Sequence, residues 1–96
     1  MSIEEIIELL NDSQWFDQYG NTFYFFRHDN KFYYRISPDV EEELRNCTII
    51  NGAFVCNYGY VATNYIVFAI SQNLQEIGVR FTGASEELSD RILKRI

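Results

Sequence analysis

Asn51-Gly52 constrains this chain more than any other dipeptide in it. The pair lies at the centre of NCTIINGAFVCN, residues 46–57. A two-residue type I′ turn needs positive φ at both central positions, and Asn-Gly meets that demand most readily. The flanks then form an antiparallel hairpin in which Ile50 faces Ala53, Ile49 faces Phe54, Thr48 faces Val55 and Cys47 faces Cys56. Alternation along the ladder makes the cysteines a non-hydrogen-bonded pair, with Cα atoms about 4.5 Å apart. That is the short end of disulfide geometry, so a bond there would be strained. The expectation is two small apolar side chains meeting across a strand pair, kept reduced in the cytosol, with a redox clip as the alternative.

A second hairpin is written in TFYFFRHDNKFYYRIS, residues 22–37. Strands at 22–28 and 31–36 around a turn at Asp29-Asn30 set Phe26 opposite Tyr33, Phe25 opposite Tyr34 and Phe23 opposite Ile36. One face collects Phe23, Phe25, Phe32, Tyr34 and Ile36 and suits a core. The other collects Tyr24, Phe26, Tyr33 and Arg35, with His28 and Lys31, and suits a half-exposed aromatic surface that could hold a ligand.

Helical signals flank these strands. Ser2-Ile3-Glu4-Glu5 is a capping box, and Ile3, Ile6, Ile7 and Leu10 recur at helical spacing, which predicts a helix over 3–10. Ser37-Pro38-Asp39 reads as a helix start, with a short helix over 38–45 and Val40 and Leu44 inward. Further strands are expected at 46–50, 53–58, 60–71 and 76–82. Ser85 opens a last helix, 86–96, with Leu88, Ile92, Leu93 and Ile96 on one face. The order is α-β-β-α-β-β-β-β-α. It predicts a single α+β domain over 1–96, a mostly antiparallel sheet of about five to six strands with N-terminal, short middle and C-terminal helices.

Charge and composition bear on function. The 96 residues are 47% hydrophobic and 17% aromatic, enough for a core built on large rings. Net charge is −6. Glu4, Glu5, Glu8, Asp12 and Asp17 crowd the start, and Asp39, Glu41, Glu42 and Glu43 form a second acidic block. Such a chain repels nucleic acid and attracts basic protein surfaces. Nucleotide-binding and hydrolase motifs are absent, and two cysteines with the lone His28 are too few for a zinc site. No cofactor or metal is therefore expected. The start MSIEEII is unlike a secretory signal, and the apolar run over 65–70 is too short to cross a bilayer. A cytoplasmic protein is expected, with no membrane and no nucleic-acid partner.

These features predict a non-enzymatic, acidic protein-binding module: an inhibitor or immunity-type protein that acts as a nucleic-acid mimic on the basic site of a partner. Its expected contact residues are Glu4, Glu5, Glu8 and Asp12 with Asp39, Glu41, Glu42 and Glu43. One alternative is a small-ligand domain with an aromatic pocket between sheet and helix, using Tyr24, Phe26, Tyr33 and Arg35. Another is a self-assembling subunit, a homodimer through strand 60–71, because that segment is apolar on both faces.

Overall fold

Helix α1, Ile3–Leu10, starts where the capping box places it. The Ser2 hydroxyl accepts the Glu5 amide, and the Glu5 carboxylate accepts the Ser2 amide, each at 3.1 Å. In this computed structural model, which describes residues 1–36, 40–59, 62–70, 75–83 and 90–96, eight antiparallel strands follow. They are β1 Ser13–Phe16, β2 Thr22–His28, β3 Lys31–Ile36, β4 Val40–Ile50, β5 Ala53–Asn57, β6 Tyr65–Ile70, β7 Glu76–Thr82 and β8 Asp90–Arg95. Each strand pairs with the next, and β8 returns to β1 through Trp15–Arg95 and Phe16–Lys94, which closes a barrel.

Both hairpin turns form as their sequences require. Asp29 and Asn30 have φ of 52° and 63°, and Asn51 and Gly52 have 50° and 80°. Around the first turn, Phe26 pairs with Tyr33, Phe25 with Tyr34 and Phe23 with Ile36, in the expected register.

The bore is filled rather than hollow, as an eight-stranded barrel allows. Trp15, Phe23, Phe25, Tyr34, Phe54 and Phe68 are buried. Phe25 of β2 meets Phe68 of β6 edge-on with ring centres 5.5 Å apart, and Phe23 of β2 reaches Phe81 of β7 at 6.4 Å. Helix α1 closes one end, burying Ile6, Ile7 and Leu10. It is tied there by the Arg27 guanidinium, which binds Glu4 and Glu8, and by the Arg27 amide, which donates to Asn11 Oδ1 at 2.8 Å. A chain of bonds continues from the helix end into the core: Ser13 Oγ donates to the Leu10 carbonyl, and Trp15 Nε1 donates to Ser13 Oγ at 2.7 Å. Outside, the wall carries Gln14, Arg35, Glu41, Arg80 and Lys94, all exposed.

The α+β architecture with three helices is therefore overturned. The middle helix expected over 38–45 is strand from Val40 onward, in register with β3 from Ile36–Val40 to Phe32–Leu44. The C-terminal helix expected over 86–96 is strand over Asp90–Arg95, paired with β7 on one side and β1 on the other. Val40 and Leu44 fall on one face of a helix or a strand alike, because a spacing of four is nearly one helical turn and also two strand repeats; in β4 Leu44 is buried, whereas Val40, expected inward, is exposed. Ser13–Phe16, to which the expected order gives no strand, is the strand that completes the ring. The helix starts at Ser37-Pro38-Asp39 and Ser85, the helix positions up to 89, and the ends of strand 60–71 lie outside the described residues.

Candidate functional site

The outward side chains of β2, β3 and β4 form two rows across the wall. Phe26, Tyr33 and Glu43 make one row; Tyr24, Arg35 and Glu41 make the other. Alternation puts every second residue of each strand outside, so this face is a direct consequence of the period of two. The rings stack. Tyr24 and Phe26 lie 5.2 Å apart at 26°, and Phe26 and Tyr33 lie 5.2 Å apart at 12°. The Arg35 guanidinium covers both Phe26, at 5.2 Å, and Tyr24, at 5.8 Å, from their ring centres. Arg35 is itself held by Glu41, whose Oε1 accepts from Nε at 3.0 Å and from Nη2 at 2.6 Å. Tyr24 donates its hydroxyl to Asp12 Oδ1 at 2.9 Å, and this bond to a carboxylate pushes the phenol pKa above its ordinary value. The result is a half-buried, ordered aromatic ladder bordered by Asp12, Glu41 and Glu43.

The expected contact acids separate into different settings. Glu4 and Glu8 are engaged by Arg27 on the capped end. Glu5 serves the cap of α1, and the bond from the Ser2 amide, then that from the Ser2 hydroxyl, holds its carboxyl below the usual range. Asp12, Glu41 and Glu43 border the aromatic face. Glu42 turns inward, where its Oε2 accepts the Tyr34 hydroxyl at 2.8 Å. Asp39 lies outside the described residues. The acids of α1 and those of β4 thus sit on an end and a side of the barrel. Asp12, Glu41 and Glu43 share one wall with Tyr24, Phe26, Tyr33 and Arg35, which counting along the chain had assigned to separate hypotheses.

Two polar arrangements inside were not anticipated. Tyr34 is buried, and desolvation, reinforced by its bond to Glu42, keeps the phenol protonated far above its ordinary range. Asp17 organises the loop between β1 and β2: its Oδ1 accepts the amides of Tyr19 at 2.9 Å and Asn21 at 2.7 Å. Its Oδ2 lies 3.0 Å from Arg91 Nε, with side-chain exposures of 0% and 6%. That N–H is off the line of a hydrogen bond, so the contact is ionic, and the Arg91 guanidinium also lies 4.6 Å from the Tyr19 ring centre. An Asp followed by Gly and Asn within four residues is an Asx-turn signal that could have marked the loop. Nothing local announces Arg91 as its partner.

Cavities are modest. Between α1 and the barrel rim, Met1, Ile6, Ile49, Gly52, Phe54 and Ile70 enclose about 150 Å³. A drug-sized ligand needs roughly 300 Å³ or more. An outer groove of about 420 Å³ runs over β6 to β8, lined by Val67, Ala69, Gly78 and Ile92 with Gln18, Arg80 and Asp90 beside them. Strand β6 is hydrogen-bonded on both sides, to β5 and β7, so any pairing of two chains through it would use this outward face and not a strand edge. No group of three or more potential metal ligands gathers among the described residues. His28 stands at the β2–β3 turn, 3.3 Å from Asp29. Among the described residues no helix is long and apolar enough to cross a membrane.

These features define a class: a helix-capped, eight-stranded antiparallel barrel with a filled bore and an ordered aromatic wall. No protein family, curated protein or solved structure matches the chain.

Proposed function

We propose that this protein is an acidic binding module of the inhibitor type, which docks on a basic surface of another protein through the outer wall of β2, β3 and β4. The observation that carries this reading is the stacked ladder of Tyr24, Phe26 and Tyr33 beside Glu43. Aromatic rings held in place before binding lose little side-chain entropy and are the usual anchors of protein interfaces. The bordering carboxylates and the net charge of −6 favour a cationic partner and speed its approach. Glu4, Glu5 and Glu8 add long-range attraction from the capped end. The filled bore favours an exterior contact over an enclosed ligand.

The test is capture of the partner at low salt, its identification, and measurement of both rate constants with purified components. Association should slow steeply as salt rises, because the Debye length shrinks from about 10 Å at 0.1 M to 3 Å at 1 M. Glu41→Lys with Glu43→Lys should slow association. Phe26→Ala or Tyr33→Ala should speed dissociation about tenfold, equivalent to ~1.4 kcal/mol. A partner bound with unchanged affinity by a folded Phe26→Ala/Tyr33→Ala double variant would show that this wall is not the contact surface.

A further inference from the structure

Strands β4 and β5 do not stay in step. Pairing runs from Ile50–Ala53 to Thr48–Val55 and resumes at Arg45–Asn57, so Asn46 and Cys47 together oppose Cys56. Asn46 takes the left-handed conformation, with φ of 51°, and its Nδ2 donates to Asn57 Oδ1 at 3.1 Å. This β-bulge replaces the direct opposition that counting from the turn implies. It aims one thiol at the other: both cysteines are free, and their Sγ atoms lie 2.9 Å apart. Their surroundings differ. Cys56 is fully buried and Cys47 is partly exposed. The Cys56 thiol donates to Cys47, which lowers the Cys47 pKa, while the same bond and burial hold Cys56 protonated. A partly exposed sulfur with a lowered pKa beside a buried thiol that stays protonated is the arrangement of an attacking and a resolving cysteine.

We propose that Cys47 and Cys56 form a peroxide-responsive dithiol that closes to an intramolecular disulfide. The Cys47 thiolate attacks one oxygen of hydrogen peroxide or an alkyl hydroperoxide. The O–O bond breaks, Cys47 becomes a sulfenic acid, and hydroxide or alkoxide leaves. The Cys56 sulfur then attacks the Cys47 sulfur. The S–O bond breaks, and the Cys56 proton leaves with the hydroxyl group as water. The two sulfurs lose two electrons in all and the peroxide gains them. A dithiol reductant reverses the step by thiol–disulfide exchange.

The experiment exposes the full chain to hydrogen peroxide and reads intact mass and alkylatable thiols after denaturation. Wild type should lose two hydrogens and both thiols together, without linking chains, and dithiothreitol should restore both. In the untreated native protein, iodoacetamide should label Cys47 about tenfold or more faster than Cys56. Cys47→Ser should leave Cys56 alkylatable after the same exposure. Cys56→Ser should stop Cys47 at a sulfenic acid that dimedone captures, with Cys56→Ala as the second variant should a buried hydroxyl disturb folding. Sulfinic acid at Cys47 beside a free Cys56 thiol in wild type, disulfide-linked pairs of chains, or undiminished Cys56 oxidation in Cys47→Ser would each overturn the proposal.

Discussion

Tyr34 and Glu42 show how one polar contact is accommodated in an aromatic bore. The phenol is buried and donates its hydrogen bond to a carboxylate that alternation directs inward. Tyr34→Phe keeps the ring and removes the bond, leaving the inward Glu42 carboxylate without that donor; the expected loss is about 1–3 kcal/mol in a denaturant titration. Because burial and then Glu42 raise the folded-state pKa, the protonated phenol contributes stability that is complete below the unfolded value, about 10, and is lost as pH rises beyond it. Stability should therefore fall with pH above about 10, and less steeply in Tyr34→Phe; equal slopes would remove Tyr34 as the cause. Asp17 and Arg91 make a second buried contact, 3.0 Å apart. Asp17→Ala strands the guanidinium and should cost about 3–5 kcal/mol, whereas replacing both partners by apolar residues should recover much of the loss. Arg91 is thus structural. A charge-reversal control for the docking reading belongs at exposed Lys94 and Arg95.

Turns and periodicities decide the elements. Gly52 has φ of +80°, and a Cβ built there meets nothing within 4 Å, so a substitution is penalised by backbone conformation alone. Gly52→Val should lower stability by roughly 1 kcal/mol or more. An unchanged midpoint would contradict the left-handed geometry of this turn. In β4 the run Val-Glu-Glu-Glu-Leu has helix-forming composition, yet the chain extends through it. Glu41 and Glu42 find cross-strand partners in Arg35 and Tyr34 that a helix over 38–45 would not offer. The β8 segment behaves similarly: Arg91 and Leu93 face in, while Ile92, read as a core residue of a helix, is 50% exposed.

Closure is the property of the whole molecule. The seam between β1 and β8 rests on two residue pairs, with the Ile96 amide donating to the Gln14 carbonyl at 2.9 Å and the Arg95 guanidinium 5.3 Å from the Trp15 ring centre. It joins segments nearly a full chain apart, so its loop-closure entropy is large and its local support small. Amide hydrogen exchange should be least protected along β8 at this seam and most protected in β2 and β3. Uniform protection around the ring would refute that order. Among the described residues the closed ring also leaves no strand edge for another chain to extend.

Local chemistry was legible wherever a short stretch contained its own reason. The capping box, both turns with positive φ and the register around Asp29-Asn30 all follow from contacts within a few residues. So did the division of β2 and β3 into a core face and an aromatic face. What remained illegible depended on partners outside the stretch itself. Four-residue apolar spacing satisfies a helix and a strand alike, and only the neighbours β3 and β7 choose between them for β4 and β8. The bulge that brings Cys47 to Cys56 interrupts a register that turn counting takes to be continuous. The meeting of Asp12, Glu41 and Glu43 with Tyr24, Phe26 and Tyr33 requires neighbouring strands laid side by side. Sequence alone determined the turns and the faces, because those depend on φ, ψ and side-chain alternation; the tertiary structure decided closure and which faces join, because those depend on contacts between one element and another, and at the β1–β8 seam between opposite ends of the chain.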